Sequence, residues 1–219
     1  MALSPVKGIV FDLDGTLVDS LPTTFEAFNH GIVKCGGRPH SPSEIMGYFG
    51  AGEGEIFAQI LGRDRAQEAY AASRSYLDQN LDRVPLHEGV EELLNSLQSR
   101  GIPISIVTGR SWNTTEVILK HHSLLERFVT IIANDHVEKP KPSPLGIQLA
   151  LSRMQIDPNQ AIYVGDSHVD ILAARAAGSR AVAALWDRIA SREALAIHAP
   201  HHWALHPLEL IDLLELQFP

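Results

Sequence analysis

Near the N-terminus the run Gly8-Ile9-Val10-Phe11 passes directly into Asp12-Leu13-Asp14-Gly15-Thr16. A short apolar run bounded by turn-forming residues reads as a buried strand. Ionised carboxylates do not sit unpaired in a core, because losing hydration costs several kcal/mol or more per charge. Asp12 and Asp14 therefore belong where the strand leaves the core. Extended backbone places residues two apart on one face, and two acids held that close repel unless a cation or a shared proton stands between them. The expectation is a magnesium-assisted phosphoryl-transfer site, in a fold that brings further polar groups to the end of that strand.

The rest of the chain has two rhythms. From Ser20 to about Leu81 the pattern is helical, with Phe25, Phe28, Ile32 and Val33 at helical spacing. Ser41-Pro42-Ser43-Glu44 reads as a helix start, with a cap residue, a first-turn proline and an acid soon after. A further helix is expected from about Arg63 to Leu81. Beyond Pro85 helices and strands alternate, with strands over 102–107, 128–132, 161–164 and 180–185 and helices over 89–100, 113–121, 145–153 and 168–177. An amphipathic helix over 207–216 closes the chain. Strands alternating with helices imply a parallel sheet covered on both faces. The fold class read from this is α/β, a doubly wound, Rossmann-like parallel sheet with an inserted all-helical cap. The core would comprise 1–18 plus 84–219, and the cap 19–83.

Composition narrows the function. A formal net charge of -8 and the lack of any basic run argue against nucleic acid and anionic membrane as partners. No apolar segment is long enough to span a bilayer. The single cysteine, Cys35, rules out an intramolecular disulfide and fits a reducing compartment. The N-terminus is too short and weakly apolar before the first strand to read as a signal peptide. A cytoplasmic protein, monomeric or homodimeric, is expected. Several of the eleven histidines fall near Ala199-Pro200-His201-His202-Trp203. No ligand spacing accompanies them, so they read as surface or packing residues.

In open α/β sheets ligands bind beyond the carboxyl ends of the strands. The polar residues at those ends are Asp12 and Asp14, Thr108 and Arg110, and Asp166 and Ser167. Asp170 lies one helical turn after Asp166 and projects to the same place. Lys139 and Lys141 share the proline-punctuated loop 138–144, where a positive charge could offset the acids. Gly50-Ala51-Gly52-Glu53-Gly54 looks superficially like a nucleotide-binding glycine loop, but no strand precedes it. It reads instead as a hinge or a substrate loop.

These pieces, in this order, resemble the four motifs of the haloacid dehalogenase superfamily of phosphohydrolases, and its phosphoglycolate-phosphatase-like branch in particular. Asp12-Leu13-Asp14-Gly15-Thr16 resembles the first motif, Thr108 the second and Lys139 with its Pro-x-Pro the third. Gly165-Asp166-Ser167-x-x-Asp170 resembles the fourth. The resemblance implies that Asp12 attacks phosphorus and that Asp14 moves protons. It implies that Mg2+ is held by Asp12, Asp166 and the main-chain carbonyl of Asp14, and that Thr108 holds a phosphoryl oxygen. Lys139 would pair with Asp12 and phosphate, with Asp170 orienting it or a metal-bound water and with Ser167 and Gly109 in support. The second motif departs from the common pattern, since Gly109 and Arg110 follow the hydroxyl residue. Arg110 either contacts a substrate phosphate or carboxylate or makes a surface ion pair. In this branch the cap sets specificity, which points to Gly50, Gly52 and Glu53.

The function implied is a magnesium-dependent phosphatase hydrolysing a small phosphorylated metabolite, a phosphoglycolate-like phosphomonoester, through an aspartyl-phosphate. A sugar phosphomutase shares the first half-reaction and stays open, as does a non-catalytic phosphoryl-binding protein of the same fold. Dehalogenase chemistry has no use for Asp14. Phosphonatase chemistry wants a cap lysine, and Lys34 is the only lysine in the insert.

Overall fold

The computed structural model describes residues 5–215; residues 1–4 and 216–219, at the ends of the two expected core segments, lie outside the described residues. Six parallel strands form one sheet: β1 (Gly8–Phe11), β2 (Ile104–Val107), β3 (Thr130–Ile132), β4 (Ala161–Gly165), β5 (Arg180–Ala184) and β6 (His202–Ala204). Their spatial order is β3-β2-β1-β4-β5-β6. The chain builds outward from β1 through β2 to β3, then returns to place β4 on the other side of β1. That reversal of direction opens a crevice at the carboxyl ends of β1 and its neighbours, where ligands of such sheets bind. Asp12, Thr108 and Asp166 each directly follow one of the three central strands.

Period-two alternation divides the strand side chains between two faces. Ile9, Phe11, Ile104, Ile106, Ile162 and Val164 belong to one apolar cluster, shared with α5 (Val90–Ser99), α6 (Trp112–His121) and α10 (Glu209–Glu215). Val10, Val107, Ala161 and Tyr163 belong to the other, under α7 (Leu145–Met154) and α8 (His168–Ala177). Both faces are covered, so the strands read as continuous buried runs. The sheet is doubly wound, as the sequence pattern predicts.

Between β1 and α5 stand α1 (Leu21–Lys34), α2 (Pro42–Met46), α3 (Glu53–Leu61) and α4 (Arg63–Gln79). These have an apolar cluster of their own, built from Leu21, Phe25, Phe28, Ile32, Phe57 and their neighbours. Phe28 and Phe57 stack with ring centroids 5.0 Å apart. α1 and α4 cross closely at Gly31, where a Cβ would lie 2.3 Å from the Ala69 carbonyl oxygen. α2 starts on the expected capping box, Ser41 accepting from the Glu44 N–H and Glu44 accepting from the Ser41 N–H. The chain leaves and re-enters the sheet layer side by side: Asp19 N donates to Pro85 O at 2.9 Å and His87 N to Leu17 O at 3.1 Å.

Two expectations need correcting. The glycine stretch is not a loop throughout: Gly52 caps α3, so Glu53 and Gly54 begin a helix. The last strand is β6, not the one ending near Leu185. His202-Trp203-Ala204 extends the sheet beside β5, with Val182, Ala183 and Ala184 in register. His201 is a packing residue whose Nδ1 accepts the Ala181 N–H at 2.9 Å. Among the described residues no helix is long and apolar enough to cross a membrane.

Candidate active site

Asp12 emerges from β1 with its N–H still donating to the Val164 carbonyl of β4 at 2.8 Å, so the last ladder bond of the sheet fixes its position. Two residues on, the chain must turn. Gly15 adopts φ +76°, and a Cβ there would lie 2.4 Å from Asp166 Oδ2. Only glycine satisfies both the backbone geometry and the close approach of that carboxylate. Gly165, the end of β4, has the same function toward Asp170, whose Cγ lies 2.4 Å from where its Cβ would be. The glycines of the first and fourth motifs are thus what let three acids gather. One carboxylate oxygen from each of Asp12, Asp166 and Asp170 lies within 4.8 Å of the others.

The compensating cation is Lys141. Its Nζ lies 2.8 Å from Asp12 Oδ1 and 2.6 Å from Asp170 Oδ1, and the side chain is buried. This corrects the choice of Lys139, which is exposed. The loop turns its second lysine inward, and two residues of offset carry the first to solvent. Burial would lower the Lys141 pKa, but Asp12 and Asp170 outweigh it and raise it. Burial in turn pushes Asp12 upward against the pull of Lys141, and Asp170 adds to the rise.

Asp170 is fully committed within the protein. Besides Lys141 it accepts from the Ser167 N–H at 3.0 Å and from the Ser167 hydroxyl. The Tyr163 hydroxyl lies 2.9 Å from both Asp170 Oδ1 and the Val107 carbonyl, acceptors that compete for its single proton, and it accepts from Lys141 at 3.1 Å. Tyr163 was missed from sequence; the one available signal is a hydroxyl in an otherwise apolar strand, two residues before Gly165. Asp166 accepts a longer bond, 3.3 Å, from Thr16 Oγ1. Burial drives its pKa well above the usual carboxylate range, and Asp170 and Asp12 push it further. Three acids this close, two of them buried, with hard oxygen donors throughout, fit a divalent cation such as Mg2+.

Asp14 points elsewhere. Arg110 clamps it, with Nη2 2.6 Å from Oδ1 and Nε 3.0 Å from Oδ2. The Ser20 hydroxyl also donates to Oδ1. Burial would raise the Asp14 pKa, but Arg110 and Ser20 together hold it below the ordinary value. Arg110 is itself 5% exposed, which excludes the surface ion pair expected as one of its two readings. It also donates to Thr24 Oγ1 of α1 at 2.7 Å and lies 3.4 Å from Glu53 Oε1 of α3. Glu53 accepts from the Thr114 hydroxyl at 3.0 Å and from the Ser111 hydroxyl, both on or beside α6. Tyr70 of α4 adds a 3.0 Å bond to Ser111. Arg110 and Glu53 therefore tie the helices over 21–79 to the edge of the sheet.

Asp12, Asp14, Gly109, Arg110, Lys141, Asp166 and Ser167 line a single cavity of about 330 Å³, together with Gly50 and Glu53. Thr108 lies buried at the end of β2, its hydroxyl accepting the Arg110 N–H at 3.1 Å. Gly52 stands at the N-terminus of α3, beside Glu53. Lys34, at the last turn of α1, is exposed and outside the cavity wall.

Comparison with known proteins is consistent with this geometry. The family model for haloacid dehalogenase-like hydrolases matches residues 9–184. The chain is 32% identical to pyrophosphatase PpaX of Bacillus pumilus, over 90% of this chain and 91% of that one. It is also 32% identical to phosphoglycolate phosphatase of Neisseria meningitidis, over 83% and 81% respectively. Among solved structures, a haloacid dehalogenase-like family hydrolase from Streptococcus pneumoniae superposes with a TM-score of 0.76 at 30% identity, covering 95% of this chain and 98% of that one.

Proposed function

Because the chain belongs to the haloacid dehalogenase-like hydrolase family, we propose that it is a magnesium-dependent phosphatase that cleaves a small phosphomonoester through an aspartyl-phosphate on Asp12. The observation that carries this reading is the Asp12–Lys141–Asp170 chain of ion pairs at the exit of β1, open to a cavity of metabolite size. Residues 19–83 act as the cap domain over a core of 1–18 and 84–219. Their separate apolar cluster and the paired connectors at Leu17–Asp19 and Pro85–His87 support that division.

In the first half-reaction a carboxylate oxygen of Asp12 attacks phosphorus and the bond to the leaving alcohol breaks, which splits one difficult displacement into two easier ones. Lys141 holds Asp12 in place and offsets charge on the phosphoryl oxygens. The Thr108 hydroxyl and the main-chain N–H groups of Leu13 and Gly109 hold those oxygens. In the second half-reaction water attacks the acyl phosphate, and Asp14 takes its proton. Arg110 and Ser20 keep Asp14 in the ionised form that can accept a proton, at a cost in basicity. Serving as the acid toward the leaving alcohol requires that the Arg110 clamp loosen enough for Asp14 to carry a proton. Asp12 and Asp166, with the Asp14 carbonyl, would hold magnesium, which when bound neutralises the acidic floor and supplies charge stabilisation to the transferring group.

The test is Asp12→Asn, assayed for phosphate release from p-nitrophenyl phosphate with magnesium. The expected result is a loss of at least about a thousandfold in kcat. Turnover near the wild-type rate would remove Asp12 as the nucleophile.

A further inference from the structure

The cavity has a charged floor and a largely apolar roof. From the cap, Leu21, Phe28, Met46, Phe49 and Ile56 form most of the wall; Thr24 adds a hydroxyl already taken by Arg110, and Glu53 is the only ionisable cap residue lining it. Ile189 continues the apolar surface on the core side. Met46, Phe49 and Ile189 are 37%, 45% and 48% exposed, so apolar surface extends from the wall to the rim through which a substrate passes. Exposed apolar surface concentrated at the mouth of a cavity is a mark of a binding site.

The fixed positive charges that line the cavity are both occupied. Lys141 lies between Asp12 and Asp170, and Arg110 between Asp14 and Glu53. His168 also lines the cavity but belongs to the floor, next to Ser167. A substrate placing its phosphate over Asp12 directs its other end toward the roof. A carboxylate or second phosphate there would face apolar side chains and the Glu53 carboxylate without a cation to receive it. Burying a charge that way is strongly unfavourable, whereas an apolar group gains from leaving water.

We infer that the substrate is a phosphomonoester whose alcohol portion is uncharged and largely apolar, and that a second anionic group is selected against. This rests on the phosphatase reading above and narrows it. Phosphate binding comes from the strand ends that the family motifs supply, while discrimination comes from cap residues outside those motifs. Met46 and Phe49 determine specificity at the rim, and Ile56 does so at depth.

The test separates binding from turnover. The full-length Asp12→Asn variant with magnesium is titrated calorimetrically with 2-phenylethyl phosphate, phosphoglycolate and pyrophosphate. The expected result is a Kd for 2-phenylethyl phosphate at least about tenfold below those of the other two. Equal or tighter binding of phosphoglycolate or pyrophosphate, or no binding of 2-phenylethyl phosphate, overturns the inference. Combining Met46→Lys, at a part-exposed roof position, with Asp12→Asn should tighten phosphoglycolate and narrow the gap. An unchanged gap overturns the assignment of specificity to the roof charge. The wild-type enzyme is assayed in parallel for phosphate release. A wild-type protein that releases no phosphate from any of the three, while the Asp12→Asn binding order holds, sinks the phosphatase reading and supports the ligand class.

Discussion

On the floor of the cavity Lys141 lies within 2.8 Å of Asp12 and 2.6 Å of Asp170, while on the roof Glu53 is the one ionisable group in a wall of apolar side chains. The floor is positioned by the sheet, whose ladder bonds run up to the Asp12 N–H. The roof is positioned by helices that meet the sheet layer through the contacts of Glu53, Thr24 and Tyr70. Charge chemistry needs rigid placement, because a buried acid left without its partner is costly. Selection among leaving groups needs only shape and polarity, which a packed helical layer can vary without disturbing the floor. The two regions should therefore fail in different ways when altered.

Lys141→Ala should produce the largest effect. It removes the cation between two buried acids, so Asp12 becomes harder to keep ionised and phosphate meets unbalanced negative charge. The expected loss is about a thousandfold or more in kcat/KM, with lower thermal stability. A variant with near-normal kcat/KM would mean that the floor does not depend on that cation.

Arg110→Lys tests the link between floor and roof. The guanidinium reaches Asp14 through two nitrogens and Thr24 through one of them, a geometry an ammonium cannot reproduce. The expected drop is about tenfold to a hundredfold in kcat, with KM moving less. An unchanged kcat would separate Asp14 function from its clamp.

Glu53→Gln keeps the shape of the roof and removes its charge. Gln can still accept from Ser111 or Thr114 but no longer balances Arg110. The expected change is about tenfold or less in KM, with kcat within a few fold of wild type. A collapse in kcat comparable to that of Lys141→Ala would break the division between floor and roof.

Much of the floor was legible in the sequence because strand ends are. An apolar run ending on an acid locates that acid at the sheet edge, and two such ends, after β1 and β4, leave little freedom. Asp12, Asp166 and Asp170 gather within 4.8 Å of one another, and Asp14 lines the same cavity. The partners of Glu53 were not legible, since Ser111 and Thr114 lie 58 and 61 residues away and meet it only when α3 lands beside α6. β6 was missed because three residues carry no alternation and a histidine with a tryptophan resembles a loop as readily as an edge strand. The lysine was misassigned for a related reason. Lys139 and Lys141 share one irregular loop, and no periodicity distinguishes which side chain turns inward.

That pair of lysines offers the smallest expected effect and the sharpest contrast. Lys139→Ala removes an exposed charge from the same loop that delivers Lys141, two residues away. Surface substitutions away from packing or buried polar contacts usually change stability by no more than about 0.5 kcal/mol. Lys139→Ala should therefore leave kcat/KM within about twofold of wild type, measured beside Lys141→Ala under the same magnesium concentration. The difference between two alanine substitutions in one loop isolates the ion pairs of Lys141 from any general effect of net charge, since both remove one positive charge from the loop. A deficit in Lys139→Ala as large as that of Lys141→Ala would return the catalytic role to the outward-facing lysine and require the loop to rearrange when substrate binds.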